Sequence, residues 1–208
     1  MKQKSGQKTL LASVVMSTPG PIVVGIGLLV GRSATQLADF IRRTAELAAI
    51  IVSWVIYKIT NKDADVDTGR KTRLEYIANL CVGAAMCLSG ATMLLITFLS
   101  DHSQKGNVIP GLIIAILGVT TNTWFWLRYR KLDRESPNAI LAVQSKLYRA
   151  KSLVDACVTI ALSVVAIAPA SMAALYMDIA GSVVVAVYLI INGVITLSEK
   201  TKKAQDNI

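Results

Sequence analysis

Charge is scarce in this chain of 208 residues: only 17% is Asp, Glu, Lys or Arg, and the acids are outnumbered 13 to 22. Histidine occurs once, at His102 beside Asp101, where it reads as a solvated loop residue. Cysteine occurs three times, at Cys81, Cys87 and Cys157, with no Cys-x-x-Cys pair, so the thiols read as small apolar packing groups and not as metal or redox centres. No Ser/His/Asp constellation, phosphate-binding loop or pair of catalytic carboxylates on soluble elements is present. An enzyme is not expected, and neither a cofactor nor a resident metal is implied.

Apolar residues fill the space that charge leaves. They make up 53% of the chain, in runs that a soluble domain of this size could not bury. The expected class is an all-α membrane protein. A helix needs about 20 apolar residues to cross a hydrocarbon core of about 30 Å. Six such spans can be drawn, over 9–30, 36–59, 75–100, 108–127, 147–168 and 172–197. Lys2, Lys4 and Lys8 before the first imitate the start of a signal peptide, but no convincing small-residue cleavage site follows, so a retained span is expected. Pro19 and Pro21 should bend it.

A formal net charge of +9 would point to nucleic acid in a soluble protein. Here most basic residues, including Arg70, Lys71, Arg73, Arg128, Arg130, Lys131 and Arg134, fall at the termini and after spans two and four. With six spans those regions share one side, so both termini are expected to be cytoplasmic, with lipid headgroups and not nucleic acid as the anionic neighbours. Trp54, Tyr57, Trp124, Trp126 and Tyr129 gather toward the same ends, as interfacial rings do. The expected organisation is a single transmembrane domain over 1–208 with no C-terminal soluble domain. Asp63, Asp65 and Asp67 alternate in a polar stretch but lack the later Glu and the turn Gly of a calcium loop. Gly27 and Gly31, with Gly83, Gly90, Gly118, Gly181 and Gly193, read as places where helices approach closely.

Against this background four charges are anomalous. Arg42 and Glu46 fall in span two, and Lys151 and Asp155 in span five. Each costs roughly 2.5–3.5 kcal/mol at the centre of a span on insertion scales, so such residues usually serve a function. Spacing of four puts each pair on one helix face. In both pairs the cation precedes the acid, the weaker order for local stabilisation, so the charges are expected to pair between helices. Asp39 can join the first stripe, whereas Arg43 is rotated away, toward the outer interface. The recurring pattern also hints at a repeat of three spans.

These residues bring a resemblance into focus. Ser33-Ala34-Thr35-Gln36-Leu37-Ala38-Asp39 leading to Arg42 and Glu46 resembles the second helix of the cation diffusion facilitator (cation efflux) family. Arg73-Leu74-Glu75-Tyr76, Asn122, Ser136-Pro137, Asp155, Asp178 and Gly193 resemble further family positions in the same order. The resemblance implies a homodimeric, proton-coupled exporter of divalent metals, a multi-pass protein of a bacterial cytoplasmic membrane. It also implies a transport site at Arg42, Glu46, Lys151 and Asp155, where the family carries His or Asp followed four residues later by Asp. Each helix here keeps its acid and has a cation in place of the other ligand.

Arginine offers no lone pair, and a divalent ion about 4 Å from one cation meets roughly 8 kcal/mol of repulsion at an effective dielectric of about 20. Three readings stay open. One is a transporter that moves a cation or proton by alternating access, with Glu46 and Asp155 as carriers and Arg42 and Lys151 as counter-charges. Another is a divalent-metal transporter that recruits Asp39, Asn122 or Asp178. The third is a non-transporting scaffold or regulator in which the four charges are structural.

Overall fold

The computed structural model describes residues 2–30, 34–62, 68–99, 109–167 and 172–205. Among these described residues there is no strand, and seven helices follow one another. They are α1 (Lys2–Ser17), α2 (Pro19–Val30), α3 (Ala34–Lys62), α4 (Thr68–Leu99), α5 (Ile109–Glu135), α6 (Ala139–Ile167) and α7 (Met172–Gln205). Each from α3 to α7 has at least 27 residues, more than the roughly 20 a crossing requires. Three of the described stretches are long and apolar enough to cross a membrane by length and hydropathy alone: Ser5–Ile26, Thr68–Leu99 and Ile179–Ser198.

The bend expected at Pro19 falls at the junction of α1 and α2. Thr18 is a turn residue between α1 and α2, its Oγ1 donating to the Val14 carbonyl at 2.7 Å. Pro19 then opens α2 at a helical position where its missing N–H costs nothing.

The stretch after span four is not the basic loop that the sequence led us to expect. α5 continues through Glu135 and α6 starts at Ala139, leaving only Ser136, Pro137 and Asn138 as the turn. Arg128, Arg130, Lys131 and Arg134 are straight-chain helix formers and simply extend α5 past the apolar part. Asn138 caps α6, its Oδ1 accepting from the amides of Ile140 at 3.0 Å and Leu141 at 3.4 Å, while Asp133 Oδ1 accepts from the Asn138 amide at 3.1 Å. Arg70, Lys71 and Arg73 likewise lie in the opening turns of α4. The acidic stretch Asp63, Asp65 and Asp67 and the single His102 lie outside the described residues.

Packing runs in two main pairs, α5 with α6 and α4 with α7. α3 lies against α4, α6 against α7, α1 against α3 and α5, and α2 against α3. α4 is buried on several sides through Ala78, Val82, Gly83, Ala85, Met86, Ser89, Gly90 and Met93. Its seam with α7 is close because glycines face each other: a Cβ on Gly193 would sit 2.9 Å from both the Cys87 nitrogen and the Gly83 carbonyl oxygen. A Cβ on Gly90 would sit 2.7 Å from the Ala186 carbonyl oxygen. Of the glycines read as close-packing sites, Gly83, Gly90 and Gly193 serve that seam, and Gly181 makes only ordinary contact with Cys157. Gly31 lies outside the described residues. The cysteines are free thiols, and Cys87 packs into the α4–α7 seam.

A cluster of rings fastens α5 and α6 to α1. Phe125, Tyr129 and Tyr148 are buried with ring centroids 5.0–6.2 Å apart. Tyr129 donates to Ser13 Oγ at 2.7 Å, and Tyr148 shares a hydrogen bond with Ser17 at 3.2 Å.

The glycine seam yields a stability prediction. In Gly193→Ala the added methyl meets backbone, which cannot swing aside, so α4 and α7 must separate at a cost of about 1–3 kcal/mol. The purified variant should unfold at a lower temperature than wild type. Gly181→Ala, where the added methyl makes only ordinary contact, should leave the midpoint nearly unchanged.

Candidate functional site

A cavity of about 510 Å³ lies at the junction of α1 and α2, lined also by residues of α3, α5 and α6. Arg42, Glu46, Lys151 and Asp155 all line it, together with Asn122. The sequence-derived faces thus converge: α3 supplies Arg42 and Glu46, α6 supplies Lys151 and Asp155, and α5 supplies Asn122.

The charges pair across helices. Lys151 Nζ lies 3.3 Å from Glu46 Oε2, with side chains only 18% and 9% exposed. The other Glu46 oxygen, Oε1, accepts from Ser89 Oγ on α4 at 2.8 Å. One carboxylate therefore joins three helices. Lys151 also lies 5.2 Å from the centre of the Tyr148 ring, a cation–π distance. Buried ions of this kind offset their desolvation only when further hydrogen bonds satisfy them, which Ser89 does for Glu46.

Asp155 has a different partner. Asn122 Nδ2 donates to its Oδ2 at 2.6 Å, so a side chain of α5 orients the second acid. Gly118, one turn earlier on α5, makes room for it: a Cβ there would lie 2.6 Å from the same oxygen. Arg42 lines the same cavity as both carboxylates.

Arg43 departs from expectation. Read from helical phase as rotated away from the charged stripe, it lines the same cavity as Arg42 and Glu46. Its side chain is long enough to lie against Gly20 of α2, where a Cβ would sit 3.3 Å from Arg43 Nη1. Ser89 and Gly118 were also missed from the sequence. A serine or glycine among many in apolar helices carries no signal until its neighbour across the bundle is known. Asp39 and Asp178 lie in α3 and α7, but their side chains are outside the described residues.

Among the described residues, no three His, Cys, Asp or Glu side chains come together in a way that could hold a metal ion. Comparison with family models decides the scaffold: residues 10–203 match the cation efflux transmembrane domain. The chain belongs to the cation efflux family. It is accordingly an integral membrane protein of a cation transporter family, whose members are transporters and not enzymes. A comparison with curated proteins returned no match.

Within this cation efflux domain the Glu46–Lys151 bridge can be tested for mutual dependence. Glu46→Gln alone leaves an ammonium in a buried site and should cost about 3–5 kcal/mol. Glu46→Gln combined with Lys151→Met should cost less than that single change. Thermal unfolding of the four members of the cycle in one detergent checks this; additive losses would mean that the two charges do not stabilise each other.

Proposed function

We propose that the chain is a six-span transporter with both termini on the cytoplasmic side, moving a proton or other cation by alternating access through the charge-lined cavity. The observation that carries this reading is the 3.3 Å contact of Lys151 Nζ with Glu46 Oε2. An ammonium there occupies the carboxylate that a metal would need. Arg42, always protonated, adds its own repulsion, so a divalent ion would meet two fixed cations in the low-dielectric interior. Proton transfer escapes that difficulty, because protonating a carboxylate neutralises charge instead of adding a second positive centre.

In this mechanism Asp155 and Glu46 are the carriers, with Arg42 and Lys151 as built-in counter-charges. Asp155, held through one oxygen by Asn122, takes up and releases the proton. Glu46 exchanges partners: while it is ionised Lys151 binds it, and protonation loosens that bridge and frees α6 to move against α3. The glycine seam of α4 and α7 forms a stiff pair against which such a movement can occur. The family commonly acts as homodimers and the same assembly fits here, in a bacterial cytoplasmic membrane.

One observation favours a second reading. Glu46 ties α3, α4 and α6 together through Ser89 and Lys151, which is what a structural clamp in a non-transporting scaffold would also do. Flux separates the two. Purified protein reconstituted in liposomes with a pH-sensitive dye inside should respond to an imposed pH step, and Glu46→Gln and Asp155→Asn should each abolish the response while assembling normally. Wild-type flux in both variants would reject these carriers and favour the clamp.

A further inference from the structure

The cavity follows α1 only at its end: of that helix it is lined by Met16 and Ser17 and by no earlier residue. Ser17 is the last of four hydroxyls spaced by four, Ser5, Thr9, Ser13 and Ser17, which share one face of the helix. That face is fastened across the bundle. Ser17 shares a hydrogen bond with Tyr148 of α6 at 3.2 Å, Ser13 accepts from Tyr129 of α5 at 2.7 Å, and Ser5 accepts from Arg128 Nη2 at 2.9 Å. Ser13 and Tyr129 are fully buried and Tyr148 is 1% exposed, with Leu10 and Phe125 in the same buried cluster. Before Ser17 the seam is shut.

Hydroxyls are a poor choice for a seam that stays shut, because apolar side chains would pack there with no polar atom to satisfy. Here the buried hydroxyls bond to their own helix: Thr9 donates to the Ser5 carbonyl at 2.9 Å and Ser13 to the Leu10 carbonyl at 2.8 Å. Such groups use backbone carbonyls when covered and water when uncovered, so a face built from them suits a surface that is alternately dry and wet.

We infer that the bonds of Tyr148 and Tyr129 to α1 are the gate that closes the cavity toward the end of the bundle where α1 begins, and that the α1 face from Ser13 to Ser5 lines the path of the transported proton or cation once they part. This deepens the transport reading and rests on it for the identity of what passes. Tyr148 joins gate and carrier: its ring lies 5.2 Å from Lys151 Nζ while its hydroxyl holds Ser17. A change in the Glu46–Lys151 bridge therefore acts on a residue that holds the gate.

The test is thiol accessibility. Thr9→Cys and Ser13→Cys, each close in size to the original, place thiols on the covered face. The proteins are held in nanodiscs, which leave both membrane surfaces accessible, and treated with a charged, membrane-impermeant methanethiosulfonate. Wild type, with its three cysteines, sets the background, and unfolded protein sets full labelling. Both new thiols should label slowly. Adding Tyr129→Phe and Tyr148→Phe, which keep the rings and remove the bonds, should accelerate labelling by roughly tenfold, because slow labelling follows the open fraction. Leu11→Cys, at an exposed position on another face of α1, should not respond to the Phe changes. New thiols that stay at background with the Phe changes in place would overturn the inference, as would equal rates with and without them or an equal response at Leu11→Cys. Proton flux in liposomes with both new thiols unreactive overturns this inference alone. Thiols that label as expected in a protein that carries nothing keep the gate and overturn the transport reading.

Discussion

An ion pair inside an apolar bundle sets the terms for everything around it. Glu46 and Lys151 are 3.3 Å apart on helices α3 and α6, in surroundings where an unpaired charge of either sign would be expensive. Keeping them together requires Ser89 on α4, the Tyr148 ring beneath Lys151 and, through Tyr148, the end of α1 at Ser17. Four helices are thereby positioned by one pair. The cavity lies where α1 ends and Pro19 starts α2.

The same pair gives this member of the cation efflux family an unusual chemical centre. A transport site for a divalent metal must offer lone pairs and negative charge. Here one carboxylate is occupied by an ammonium, the other is oriented by an amide, and two arginines line the remaining wall. The scaffold and the charges consequently point in different directions. The scaffold identifies a transporter family, while the paired cations stand against the usual bare metal ion.

Much of this was legible in the amino-acid sequence, because membrane helices obey few rules and break them conspicuously. The apolar runs located the helices, and charges in apolar surroundings marked the residues that meet in the cavity. Spacing of four was enough to put Arg42 with Glu46 and Lys151 with Asp155 on common faces. Arg43 was misplaced because helical phase alone assigns a direction to Cα–Cβ, and an arginine stem is long enough to fold back beside a neighbour such as Gly20. The extension of α5 to Glu135 was missed because hydropathy reports where lipid ends and not where a helix ends. Ser89 and Gly118 required knowledge of which helix lies opposite.

The central claim is that fixed cations have replaced metal ligands in this cavity. Titrating zinc, manganese and ferrous iron into the purified wild-type protein, with Glu46→Gln and Asp155→Asn alongside, tests it most directly. The account predicts no one-to-one binding that depends on these acids. A stoichiometric metal site present in wild type and lost in both variants would contradict it.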